Sequence, residues 1–234
     1  MISQYIAPPS RLVAIPSGGG YQSRFWALPL AVLCVGVLGS SFLLKVMVLP
    51  GRAEKPNLAA QKGNIQQNLL LSPVFTPEVQ FWGADILKWA QAAGLDPNLV
   101  ATVMQIESCG DPHALSRSGA MGLFQVMPYH FTTSDDPYTP DTNALRGLDY
   151  LRRSWEAARG EARLALAGYN GGIGVIGWSE ADWSSQTQHY AYWGSGIYTE
   201  ASAGTQTSSR LQEWLNANGV ALCRQANTRL GIDP

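Results

Sequence analysis

One carboxylate interrupts an apolar helical stripe. Val100, Val103 and Met104 precede Glu107 by seven, four and three residues, the spacing of a single helix face. Asp96-Pro97 starts that helix as N-cap and first-turn proline, so Glu107 falls near its C-terminal end. Burial among apolar side chains disfavours a carboxylate, and so does the negative end of a helix. Both effects raise the pKa. A carboxyl group held protonated near neutral pH suits a general acid. The alternative is a structural Glu, hydrogen-bonded inside a core. The other chemistry-bearing residues are thinly spread. His113, His130 and His189 show no metal-ligand spacing, and no Cys-x-x-Cys pair occurs. Gly171-Gly172-x-Gly174 reads as a turn rather than a phosphate loop. No metal or cofactor is expected. Asp111 reads as a turn cap beside Pro112.

Helices must position Glu107. Thr76-Pro77 opens one, with Val79, Trp82, Ile86, Trp89, Ala90 and Ala93 at helical spacing and Gly94 as its stop. The Glu107 helix follows. Further helices are expected over 144–155, 161–169 and 208–217. No long stretch alternates with period two, so the fold class is mainly α. Charged residues make up 14 % of the 234-residue chain, while 46 % are hydrophobic, which excludes a wholly disordered chain. The net charge of −1 hides an asymmetry: residues 1–72 are basic and residues 73–234 acidic. An acidic folded part argues against a nucleic-acid partner.

Residues 25–44 run without a charge between Arg24 and Lys45, long enough to span a bilayer core of about 30 Å. With its flank, 25–49 is expected to be a transmembrane helix. The apolar run exceeds a usual signal-peptide core, and no prompt cleavage site follows, which favours an uncleaved anchor over a cleaved signal. Residues 1–24 form a short tail, and 50–77, with four prolines and a Gln/Asn stretch, form a linker. The catalytic domain is expected over 78–200 and a helical extension over 201–234.

Three blocks in order carry a resemblance. They are Glu107-Ser108, Gly122 to Pro128 (GLFQVMP), and Gly168-Tyr169-Asn170-Gly171-Gly172. With a loose fourth match at 186–191, they resemble the lytic transglycosylases related to the soluble-lytic-transglycosylase catalytic domain, of goose-type-lysozyme-like fold. Gln186 and Gln188 stand where that family has Glu and Arg. The resemblance implies a lysozyme-like helical domain. It implies cleavage of the β-1,4 bond between N-acetylmuramic acid and N-acetylglucosamine in peptidoglycan, with a 1,6-anhydro product. Glu107 would be acid and then base. Ser108 would contact substrate or orient Glu107. Gln125 and Asn170 would bind the N-acetyl sugars, Gly122 would admit a close backbone approach, and Tyr169 and Tyr190 would line the cleft. The two tyrosines also read as core aromatics. Trp178, Trp183 and Trp193 read either as sugar-stacking faces or as core.

That chemistry requires the domain on the outer, cell-wall side of the membrane. The positive-inside rule applied to Lys45, Arg52, Lys55 and Lys62 points the other way. An external location permits a disulfide between Cys109 and Cys223, the alternative being two free thiols. Two other functions fit the same residues: a muramidase that uses water, and a non-catalytic peptidoglycan-binding module. The sequence names no protein partner.

Overall fold

A computed structural model describes residues 71–232. The expected membrane span at 25–49, the tail and most of the linker lie outside the described residues. Among the described residues, no helix is long and apolar enough to cross a membrane.

The architecture is mainly α. The helices are α1 (Pro77–Phe81), α2 (Gly83–Ala93), α3 (Pro97–Glu107), α4 (Pro140–Ala157), α5 (Ala162–Gly171), α6 (Ser185–Ser202), α7 (Ser209–Trp214) and α8 (Val220–Leu230). Short 3-10 turns cover Pro128–His130, Ile173–Gly177 and Glu180–Asp182, and a π turn at Leu215–Gly219 joins α7 to α8. Leu115, Met121 and Val126 pair only through isolated antiparallel bridges.

The start and stop signals act as their chemistry dictates. Asp96 accepts a hydrogen bond from Asn98 N at 2.7 Å and caps α3. Gly94 closes α2 in the left-handed conformation, at φ 66°. Glu161, expected as the first helical residue, caps α5 from outside by accepting from Arg163 N and Leu164 N. The helix expected from 77 to 93 breaks at Trp82, whose indole turns inward to donate to Gly110 O at 2.9 Å.

α3 is the central element. Leu99, Val100, Val103 and Met104 are fully buried, each contributing roughly 1.5–3 kcal/mol. Burial extends all round the helix to Thr102 and Gln105, so its apolar stripe is only part of its packed surface. Gln105 is satisfied there: it accepts from Thr76 N and Thr76 Oγ1 and donates to Cys109 Sγ. α6 packs against α3, α5 and α7. The sequence reading contained no helix over this span. Its buried face is built from Thr187, Tyr190, Ala191, Gly194, Ile197 and Ala201, too mixed to show an apolar period.

Two domain boundaries need correction. Val74 and Phe75 are buried in the core, and Ser72 N donates to Asn98 Oδ1, so the folded domain begins before residue 77. At the other end α6 crosses residue 200, and Leu211, Trp214, Cys223 and Ala226 belong to the same hydrophobic cluster as α3. Residues 201–234 are therefore not a separate extension through their described part. An apolar face on α7 and α8 has to be covered, and this core covers it.

Candidate active site

A cleft of about 360 Å³ opens at the C-terminal end of α3. Glu107 lines it, together with Ser116, Ser118, Gln125, His130, Tyr150, Tyr169, Asn170 and Gln186 among others. Glu107 is half-buried and is the only carboxylate in the lining. Burial pushes its carboxyl group up to about 8, against the opposing effect of the neighbouring Tyr190 hydroxyl. The two groups are near but not at good hydrogen-bond geometry, since the buried Tyr190 hydroxyl has no well-formed partner. No second acid contributes to the rise. Tyr169 and Tyr190 both stay neutral phenols, their pKa values raised first by burial and then by the Glu107 charge.

The segment from Ala114 to Val126 forms one wall and is bolted in place by polar side chains. Ser108, fully buried, donates to Leu123 O at 2.7 Å and accepts from Gly110 N at 3.1 Å. Tyr169 Oη donates to Phe124 O at 2.7 Å. Asn143 accepts from Phe124 N and donates to Met121 O and Pro137 O. Gly122 turns the chain at φ 72°, and a Cβ there would stand 2.3 Å from Asn143 Nδ2. Its smallness is thus required by Asn143, and Gly122 is not among the residues lining the cleft.

Gln125 sits at φ 46°, a left-handed conformation unusual for a residue with a side chain. Its amide nitrogen donates to two carbonyls, Ala114 O at 3.2 Å and Gly122 O at 3.1 Å, which fixes the amide orientation. The Gln125 carbonyl oxygen remains as an acceptor. Asn170 is the complement: its Oδ1 accepts from Thr187 Oγ1 at 3.1 Å, leaving the amide nitrogen as a donor. Gln125 and Asn170 therefore offer the cleft one neutral acceptor and one neutral donor beside the protonated acid.

These residues lie in the part of the chain that matches a known family. Residues 85–192 match the family model described as the transglycosylase SLT domain. The chain carries a lytic transglycosylase SLT-type domain. It is 35 % identical over 113 residues to the transglycosylase of Enterobacteria phage PRD1, covering 44 % of this chain and 40 % of that one. It is 39 % identical over 100 residues to the endo-type membrane-bound lytic murein transglycosylase A of Klebsiella pneumoniae, covering 34 % and 48 %. It is 43 % identical over 81 residues to the membrane-bound lytic murein transglycosylase C of Haemophilus influenzae, covering 28 % and 22 %. The chain thus spans less than half the length of these relatives.

Within the SLT domain, α3, the 114–126 segment, α5 and α6 bring together Glu107, Gln125, Tyr169, Asn170 and Tyr190. Ser108 lies behind the wall, not in it. Cys109 and Cys223 are joined by a disulfide, with Cα atoms 5.0 Å apart. Glu78 lies near both sulfurs, but their bond to each other leaves no thiolate for a metal. Of the tryptophans, Trp183 is buried and donates to Val175 O, Trp193 stacks on His189, and Trp178 is exposed. Tyr129, His130 and Tyr150 also line the cleft; the sequence offers 129–140 as a cleft-edge loop without singling out either aromatic, and does not point to Tyr150 as cleft-lining. Tyr150 follows by three residues Gly147, which sits against Phe124 and Val126; that helical spacing is the signal that points to it.

Proposed function

We propose that this protein cleaves the β-1,4 bond between N-acetylmuramic acid and N-acetylglucosamine in peptidoglycan, leaving 1,6-anhydro ends. One observation carries the reading: a lone carboxyl group in a neutral cleft, held protonated by burial. The SLT domain and the names of its relatives support it, and the mainly helical fold is consistent with it.

The protonated Glu107 donates its proton to the glycosidic oxygen as the bond to C1 breaks. The resulting carboxylate takes the proton of the muramic C6 hydroxyl as that oxygen closes on C1. Atoms balance without water, and Glu107 ends protonated, ready for the next bond. Two-carboxylate glycosidases need a second acid as base or nucleophile. Here the C6 hydroxyl fills that role, and positioning supplies the rate. Gln125 and Asn170 bind the sugar amides, Tyr169 and Tyr190 shape the site around Glu107, and Ser108 holds the turn after it. A single-pass anchor at 25–49 places the domain on the cell-wall side. The names of the membrane-bound relatives support attachment to a membrane.

The test is digestion of purified peptidoglycan by the full-length protein and its Glu107→Gln variant, with the released fragments weighed. Products lighter by one water at the muramic end, absent for the variant, are expected. Products with a free reducing end would replace the reading with a water-using muramidase. Retained binding without product from the unmodified protein would make it a binding module.

A further inference from the structure

Three side chains that the proposed chemistry does not use converge away from the cleft. Glu78 comes from α1, Cys109 from the turn after α3 and Cys223 from α8. A carboxylate oxygen and the two sulfurs lie within 4.8 Å of one another, and all three residues are buried.

A disulfide leaves two features of this cluster without a reason. Glu78 is only 7 % exposed and makes no ion pair among the described residues. Its side chain has one hydrogen bond, from Asn227 Nδ2 at 3.3 Å. Burying a carboxylate without a cation is costly. The other feature is Gln105, which is fully buried. Its amide nitrogen donates to sulfur alone, at 3.0 Å to Cys109 Sγ and 3.5 Å to Cys223 Sγ. A disulfide sulfur is a weak acceptor, whereas a charged thiolate is a strong one. Thr76 Oγ1 also stands 3.3 Å from Cys109 Sγ. The surroundings suit negative charge on sulfur, and a cation between sulfur and carboxylate.

We propose that Cys109, Cys223 and Glu78 form a zinc site in the reduced protein. Tetrahedral zinc, at about 2.3 Å from sulfur and 2.0–2.2 Å from oxygen, needs ligand atoms no farther apart than this cluster holds them. Breaking the S–S bond lets the sulfurs part to that spacing. Three protein ligands leave the fourth position to water. Gln105 and Asn227, already hydrogen-bonded to the sulfurs and to Glu78, orient the ligands from behind. The metal would then tie α8 to the turn after Glu107 in the reduced chain, as the disulfide does in the oxidised one. The site is independent of the glycan-cleaving reading.

The experiment uses the full-length protein with Cys34→Ser, so that Cys109 and Cys223 are its only cysteines. It is treated at 25 °C with a phosphine reductant. The phosphine takes oxygen from water and becomes its oxide, while the two sulfurs gain the hydrogens as thiols. Metal binding then releases both protons. Zn²⁺ or Co²⁺ is present throughout, so that it enters whenever the buried pair opens. Thiols are counted by alkylation, and bound metal by elemental analysis after desalting. One equivalent of zinc is expected in the reduced protein and none in the oxidised. Cobalt is expected to give the intense near-ultraviolet absorption of thiolate ligation, lost on adding zinc. Zinc is expected to raise the denaturation midpoint of the reduced protein only. Glu78→Gln is expected to weaken zinc binding at least about 10-fold and to leave the oxidised protein folded. Cys223→Ser is expected to abolish uptake. A pair that resists reduction, a reduced protein that takes up no metal, equal uptake by the oxidised form, or unchanged affinity in Glu78→Gln would each overturn the site.

Discussion

Glu107 occupies a place where two demands oppose each other. Its helix needs apolar packing, whereas a carboxylate needs water. The result is a proton held up to about pH 8. Acid catalysis uses the protonated form, so kcat/KM is expected to fall as pH rises through about 8. A pH–rate profile of the free enzyme checks this, and a falling limb near pH 5 would contradict it. The Tyr190 hydroxyl favours the carboxylate, so Tyr190→Phe is expected to move that limb to higher pH. The same proton affects stability. Between about 4.5 and 8 the native state keeps a proton that the unfolded chain has lost, so stability falls as pH rises across that window. Glu107→Gln removes this dependence. Urea denaturation is expected to show equal stabilities at pH 4 and a variant more stable by ~1–3 kcal/mol at pH 9, partial exposure offsetting the rest of the shift.

At the scale of elements, the site depends on a segment with almost no regular structure. Residues 114–126 are held by side chains from elsewhere: Ser108 from the end of α3, Asn143 from α4 and Tyr169 from α5. Gly122 and Asn143 interlock most tightly. Gly122→Ala puts a methyl group on Asn143 and forces a left-handed φ on alanine, so a loss of ~2–4 kcal/mol is expected in chemical denaturation. Asn143→Ala strands Phe124 N and the Pro137 carbonyl and is expected to cost ~2–3 kcal/mol, with kcat lowered through the displaced wall. What the sequence disclosed follows from this division. The end of α2 and the start of α3 were legible because Gly94, Asp96 and Pro97 act locally. Glu107 was legible because a carboxylate breaks an apolar period. α6 was not, since a helix buried against several neighbours through Gly, Ala and Thr displays no stripe. Asn143 was not, because the two partners in the wall, Phe124 and Met121, are distant in sequence. The 129–140 loop was marked as a cleft edge, but no periodicity singled out Tyr129 or His130 within it.

For the whole domain, the disulfide links two regions that the chain order keeps far apart. Cys109 follows Glu107 by two residues, and Cys223 lies on α8 at a sequence separation of 114. Other contacts reinforce the tie: Gln225 donates to the buried Asp111 at 2.7 Å, Arg229 stands 3.6 Å from it, and Asn227 reaches Glu78. Asp111, read from sequence as a local turn cap, thus caps His113 N and also anchors the C-terminal helix. Closing so long a loop restricts the unfolded chain strongly, by up to about 4.7 kcal/mol in the entropic account. Cys223→Ser is expected to lower stability by ~2–5 kcal/mol, read as a shift in the denaturation midpoint. Reduction of the unmodified protein is expected to have the same effect, and reductant to leave the variant unchanged. The helices on either side still share the Leu211, Trp214 and Ala226 core, so the fold is expected to survive at 25 °C with the Glu107 cleft intact. Activity at that temperature should then change far less than stability. A variant that keeps its stability but loses activity would instead mean that the bond sets the turn after Glu107 directly, and that its task is positioning the acid.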